Sequence, residues 1–202
     1  MPHYDDDLTL RDARRVYFDA NGFGADGGYH DAWVHFTVGP FPLAFPNLPS
    51  RVQAVRFHDL HHIATGYETT NLGEGEIAAW ELGGGCADHY AAWLLNFTAL
   101  PLGLLMAPRS LFRAFVRGRR CANLYGRTYD EALLDASVRD LRHDLGTDAP
   151  PPAATARDLL AFAVTCAGGV ALGVPTGLAM PVMGAAMAVL ARLRPSVFAT
   201  AT

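Results

Sequence analysis

The residues best suited to chemistry stand close together in Arg56-Phe57-His58-Asp59-Leu60-His61-His62. On a helix, His58 and His62 are four apart, so both imidazoles leave the same face within reach of one metal ion. Asp59, three before His62, borders that face. Two imidazoles and a carboxylate suit zinc, or iron or manganese, better than calcium or magnesium, which favour all-oxygen sets. A fourth ligand is expected from Glu74 in Leu72-Gly73-Glu74-Gly75-Glu76, at the opening of the next helix, with Glu76 as the alternative. His61 points about 100° away from His58 and falls outside the ligand set, as a supporting or surface group. His30, His35 and His89 are not spaced to join it and are expected to be structural.

The competing readings are weaker. His58 can satisfy a buried hydrogen bond with Asp59 paired to Arg56. His58-x-x-His61-His62 also matches one histidine box of the di-iron hydroxylases, but no second H-x-x-H-H follows. A metalloprotease would need a glutamate in place of Asp59, which reaches a metal-bound water less easily.

Composition removes other chemistries. All sixteen basic residues are arginine, so a pyridoxal Schiff base, a Walker A loop and the lysine of a protein kinase are excluded. Cys86, Cys121 and Cys166 are odd in number and widely spaced, which suggests neither a disulfide framework nor a thiolate zinc site. A net charge of -4 argues against nucleic acid as a partner. The polar, acidic start of the chain lacks a signal-peptide layout, so a cytoplasmic location is expected. With 202 residues, 50% apolar and 18% charged, the chain holds a full core and has apolar surface to spare.

The elements that must position these groups are helices. Periodicity predicts one over Leu8 to Ala20, stopped by Asn21-Gly22, and a second after Pro49-Ser50 with Ser50 as N-cap, running to Gly66. Residues 22–28 and 40–49 read as irregular chain around a short segment, Trp33 to Val38, of open type. A third helix, Gly73 to Leu82, breaks or bends at Gly83-Gly84-Gly85. Tyr90 to Pro108 carries no charge, then come Arg109, Arg113, Arg117, Arg119 and Arg120. A helix is expected over Thr128 to Leu145 and a linker over Gly146 to Ala156. Leu159 to Ala191 is uncharged over thirty-three residues. It is long enough for one membrane span, or for a hairpin of two short helices turning near Pro175 to Pro181. Its glycines, among them Gly168, Gly173 and Gly177, allow close helix contact.

His58-Asp59-x-x-His62, eleven residues, then Glu74, with Gly66, Leu72-Gly73 and Glu81 around it, closely resembles the signature of the COQ4 family of ubiquinone-biosynthesis proteins. A weaker likeness runs from Arg117 to Tyr125. The resemblance implies an all-α fold, a divalent metal usually taken as zinc, and peripheral membrane attachment beside a cavity for a polyprenyl chain. It also implies an activity, removal of the C1 carboxyl of a polyprenylated aromatic precursor and its replacement by hydroxyl. Carried onto this chain, the metal ligands and catalytic residues are His58, Asp59, His62 and Glu74.

The expectation is therefore an all-α protein. Residues 1–150 form the metal-binding helical domain and residues 151–202 a Pro/Ala linker with an apolar helical hairpin. Trp80, Tyr90 and Trp93 are expected to shield a prenylated or isoprenoid substrate, and Arg113 and Arg117 to meet its carboxylate or anionic headgroups. Expected partners are the membrane surface, other quinone-biosynthesis proteins and a second copy in a homodimer. The alternatives are a metal-stabilised lipid-binding scaffold and a related tailoring enzyme of secondary metabolism.

Overall fold

A computed structural model describes residues 4–38, 41–150 and 153–193. Pro151 and Pro152 of the expected linker, Arg194 and the chain beyond it lie outside the described residues. The protein is mostly helical, as expected.

Helix α1 (Leu10–Asn21) begins at Thr9, whose side chain accepts the Asp12 N–H, a cap of about 1 kcal/mol. It ends at Gly22 with φ +67°, the left-handed stop that Asn21-Gly22 signals. The Gly- and Pro-rich chain that follows is more ordered than its composition suggests. Strands β1 (Trp33–Val38) and β2 (Phe41–Pro46) pair antiparallel, with Trp33 opposite Pro46 and Val38 opposite Phe41. A two-stranded sheet consists only of edges, so Pro42 and Pro46 remove few ladder bonds.

Helix α2 (Pro49–Thr65) starts one residue before the expected cap. Leu48 is the N-cap and Pro49 takes the first helical position, where its missing N–H costs nothing. It ends at Gly66, φ +77°. Helix α3 (Asn71–Gly84) is capped by Thr70, which accepts the Gly73 N–H. It runs through Gly83 and Gly84 without breaking. The reason is α5 (Pro108–Gly118), which crosses α3 at backbone contact: a Cβ on Gly83 would lie 2.4 Å from the Phe115 carbonyl oxygen, and one on Gly118 only 1.9 Å from that of Trp80. On its other side α3 packs on α4 (Tyr90–Met106), where a Cβ on Gly75 would lie 3.0 Å from the Gly103 Cα.

The helix expected over Thr128 to Leu145 is two short ones, α6 (Glu131–Asp135) and α7 (Val138–Leu145). Ser137 caps α7 by accepting the Asp140 N–H. The break serves the start of the chain: Leu10 N–H donates to the Ala136 carbonyl and Val138 N–H to that of Leu8.

The apolar tail is α8 (Ala156–Gly168), a π-helical turn (Gly169–Gly173) and α9 (Val174–Leu193). Of the two arrangements expected, it takes the single continuous run; the chain does not reverse near Pro175 to Pro181. Thr155 and Asp158 form a capping box, and the same Asp158 is clamped by Arg119 and Arg120, both at 2.8 Å. Gly168, Gly169, Gly173 and Gly177 bring the tail against Phe97, Leu100 and Thr98 of α4. By length and composition Ala156–Ala179 can cross a membrane, and most of it is exposed.

Candidate metal centre

The site is built on α2 and the first two turns of α3. Gly66 turns the chain, Thr70 starts α3, and Glu74 falls in its first turn, where the helix dipole favours a carboxylate. The turn thus carries Glu74 back over the face that holds His58 and His62. The His58 Nε2 lies 3.4 Å from one Glu74 oxygen and the His62 Nε2 3.5 Å from the other. The two Nε2 atoms are 3.1 Å apart. These three residues form a cluster able to hold a metal ion. The spacings fit one: four ligands at about 2.0–2.1 Å around a tetrahedral ion lie about 3.3 Å from one another.

The outer hydrogen bonds settle which nitrogens face inward. His62 Nδ1 donates to the Tyr67 carbonyl at 2.9 Å, and His58 Nδ1 to Glu81 Oε1 at 2.9 Å. Both rings therefore turn Nε2 lone pairs toward Glu74. Two lone pairs and a carboxylate this close need a positive charge among them, supplied by a proton or a metal cation. Burial pushes the His58 imidazole toward its neutral form, but Glu81 and Glu74 outweigh burial and hold it well above the ordinary histidine value. Against the lift from burial, bonds to His58 and His62 hold the Glu74 carboxyl well below the ordinary carboxylate range. The Glu74 side chain is 39% exposed and that of His58 20%, so the cluster opens to one side.

Beneath it lies Glu81, which sequence reasoning noticed beside the motif but gave no role. Its carboxylate is fully buried and accepts four hydrogen bonds. His58 and His61 donate to Oε1, and Asn96 Nδ2 at 2.6 Å and Tyr125 Oη at 2.7 Å to Oε2. Burial would raise its pKa, but the charge on His58 and these bonds hold it well below the usual range. The available signal was spacing: Glu81 follows Glu74 by seven, two helical turns along the same face.

His61 is placed by the same group. The Leu124 N–H donates to its Nε2 at 2.9 Å, so its proton sits on Nδ1, aimed at Glu81. Burial lowers its pKa, and it stays a neutral support. Tyr17 stacks on His62 with ring centroids 5.5 Å apart.

Two expected ligands are placed elsewhere. Asp59 stands outside the cluster: one residue on from His58 it is turned by about 100°, and its carboxylate accepts the Tyr29 hydroxyl at 2.5 Å. Burial raises its pKa. Arg56 does not pair with it, lying instead over the rings of Tyr29 and Tyr129. Glu76, the alternative to Glu74, accepts the Ser110 hydroxyl.

The residues expected to shield a substrate do not form one wall. Trp80 is a core side chain against His61, 1% exposed. Tyr90 is 68% exposed, and Trp93 stacks on Phe97 and donates to the Ala87 carbonyl. Tyr90 borders a cleft of 360 Å³ whose other walls include Ser50, Gln53, His89 and Arg127. That cleft is polar and meets the site only through Tyr125. Arg117 faces inward, donating to the Thr65 and Thr147 carbonyls and lying over Tyr67. It secures the end of α2 and is not free to meet a headgroup. Arg113 is exposed.

Comparison with known proteins gives no match, whether to a protein-family model, a curated protein or a solved structure.

Proposed function

We propose that this protein is a metal-dependent enzyme similar to COQ4, acting in oxidative C1 decarboxylation of a polyprenylated aromatic precursor in quinone biosynthesis, with dioxygen as the oxidant that replaces the lost carboxyl by hydroxyl. One observation carries the reading: the cluster offers three ligands, His58, His62 and Glu74, on a side open to solvent. Three protein ligands with an open position mark catalytic rather than structural sites. The set of two imidazoles and one carboxylate is used by zinc hydrolases and by oxygen-using iron enzymes. Zinc is the metal proposed, with iron or manganese as alternatives. When bound, the ion supplies Lewis-acid polarisation of a substrate carboxylate or phenolate, or oxygen chemistry if it is iron.

The chain's own residues then have distinct tasks. Glu81 and the Tyr67 carbonyl hold the two imidazoles in their binding tautomer. Asp59 and Tyr29 form a buried hydroxyl–carboxylate pair that fixes the segment of α2 between the two histidine ligands. Tyr17 covers the His62 ring from water. The apolar tail and α4, which reaches the site through Asn96, support membrane association and a hydrophobic substrate.

The test is turnover of a short-chain prenylated hydroxybenzoate by the metal-loaded protein. Carbon dioxide release and a hydroxylated product, lost in His58→Ala, are the expected result. Tight binding of the precursor without turnover would favour the second reading, a scaffold that holds it for partner enzymes.

A further inference from the structure

Three long stretches of the chain contain no Asp, Glu, Lys or Arg: residues 32–50, 90–108 and 159–191. Far apart in sequence, they fold against one another. Helix α4 packs on the π-helical turn and on α9, and α9 packs on β2 of the hairpin. One end of the molecule is thus free of formal charge. Its outer surface is apolar as well. Along the tail, Leu160, Val164, Val170, Leu172, Leu178 and Val182 are all exposed, and α4 adds Leu94, Leu105 and Met106. Single exposed leucines carry no message, but a continuous apolar face of this length marks a contact surface.

We propose that this charge-free end is seated in one leaflet of a lipid bilayer, with α8–α9 lying along the membrane plane instead of crossing it. The rim points to lipid. Exposed Arg109 follows α4 directly, exposed Arg113 lies one turn further, and exposed Arg157 precedes the tail. Phe112 against Phe162 brings α5 and α8 together at that rim. Arginines bordering an apolar insert complement anionic headgroups. A second copy of the chain would present the same face and bring more arginine to the rim, not acid.

Packing decides the orientation. Ala156–Ala179 alone is long enough to cross about 30 Å of hydrocarbon, but a spanning tail would have to leave the body of the protein. One side of the tail is committed to the protein, through Phe162 on Phe115 and the glycines on α4. An in-plane helix needs a polar side away from lipid; here the body of the protein covers that side. The two-stranded hairpin fits only at headgroup depth, since open strand edges are not tolerated in hydrocarbon. None of this depends on the metal centre.

The test is flotation of the full chain with vesicles of neutral phosphatidylcholine, alone or with anionic phosphatidylglycerol. The wild type is expected to float with both and more tightly with the anionic ones. Arg109→Ala/Arg113→Ala/Arg157→Ala should lose on the order of a hundredfold in partitioning on anionic vesicles and nothing on neutral ones. Leu160→Asp/Leu172→Asp/Leu178→Asp, checked for unchanged helicity by circular dichroism, should stay with the soluble fraction. Trypsin added outside sealed vesicles should cut after Arg192 to the same extent as in a detergent control; protection of that bond until detergent is added would overturn the in-plane arrangement. A wild type that does not float, and sediments as a dimer that the three aspartates dissociate, would overturn the proposal in favour of an interface between copies.

Discussion

The α2–α3 pair and the α4–tail end solve opposite problems. In the first, charged and polar groups are drawn inside: Asp59, His61, His62 and Glu81 are all buried, and each is held by named partners. In the second, apolar side chains face outward along α4, α8 and α9. A buried carboxylate accepting four hydrogen bonds is costly to assemble and serves little purpose in a protein that needs only a core, where apolar residues would do as well. An outward apolar face is equally out of place in a protein surrounded by water alone. Polarity placed inside points to an ion, and apolarity placed outside points to a lipid phase. The two regions meet at Asn96, an α4 residue that donates to Glu81.

The contrast can be broken most strongly at Glu81. Glu81→Ala leaves the donors of His58, His61, Asn96 and Tyr125 without their acceptor inside the protein. Loss of about 3–5 kcal/mol is expected, a fall of roughly 10 °C in melting temperature for a chain of this size, read by calorimetry. Next comes the helix crossing beneath the site. Gly118→Ala sets a methyl against the Trp80 carbonyl and should cost about 1–3 kcal/mol, measured by urea unfolding. A third variant loosens the join between the regions. Bonds from Arg120 and Thr155 hold the Asp158 carboxyl well below its ordinary value. The clamp is therefore at full strength above the usual aspartate range near about pH 4, and is lost only as the pH falls through the depressed value. Hydrogen exchange should show α8 protected at pH 4 in the wild type and exposed faster in Asp158→Asn at any pH. The smallest effect belongs to the outward face: Leu160→Ser should change stability by less than about 0.5 kcal/mol, whereas Leu60→Ser, fully buried on α2, should cost several times that.

Local signals were read well where one residue type meets one physical need. Gly22 and Gly66 end helices because their backbone is left-handed, and Glu74 returns to His58 and His62 because the turn and the i,i+4 spacing allow little else. What escaped the sequence depends on groups far along the chain. Gly83 does not break α3 because α5 brings Phe115, 32 residues later, onto its bare backbone. The helix expected over Thr128 to Leu145 splits at Ser137 to pair with the segment before α1. Asp59 sits in the metal motif yet turns to Tyr29, a residue in a glycine-rich loop whose position no spacing rule supplies. Arg117, apparently part of a basic stripe, caps α2 from across the fold. Glu81 was visible at its two-turn distance from Glu74, but its four donors come from two helices and a loop.

The most direct test of the metal centre is elemental analysis by mass spectrometry of the purified protein, under conditions that retain weakly held ions. His62→Ala and Glu76→Gln are run alongside. About one zinc, iron or manganese ion per chain is expected in the wild type and in Glu76→Gln, and none in His62→Ala. A wild type without bound metal, or a His62→Ala protein that keeps the full complement, would contradict the assignment of His58, His62 and Glu74 as ligands.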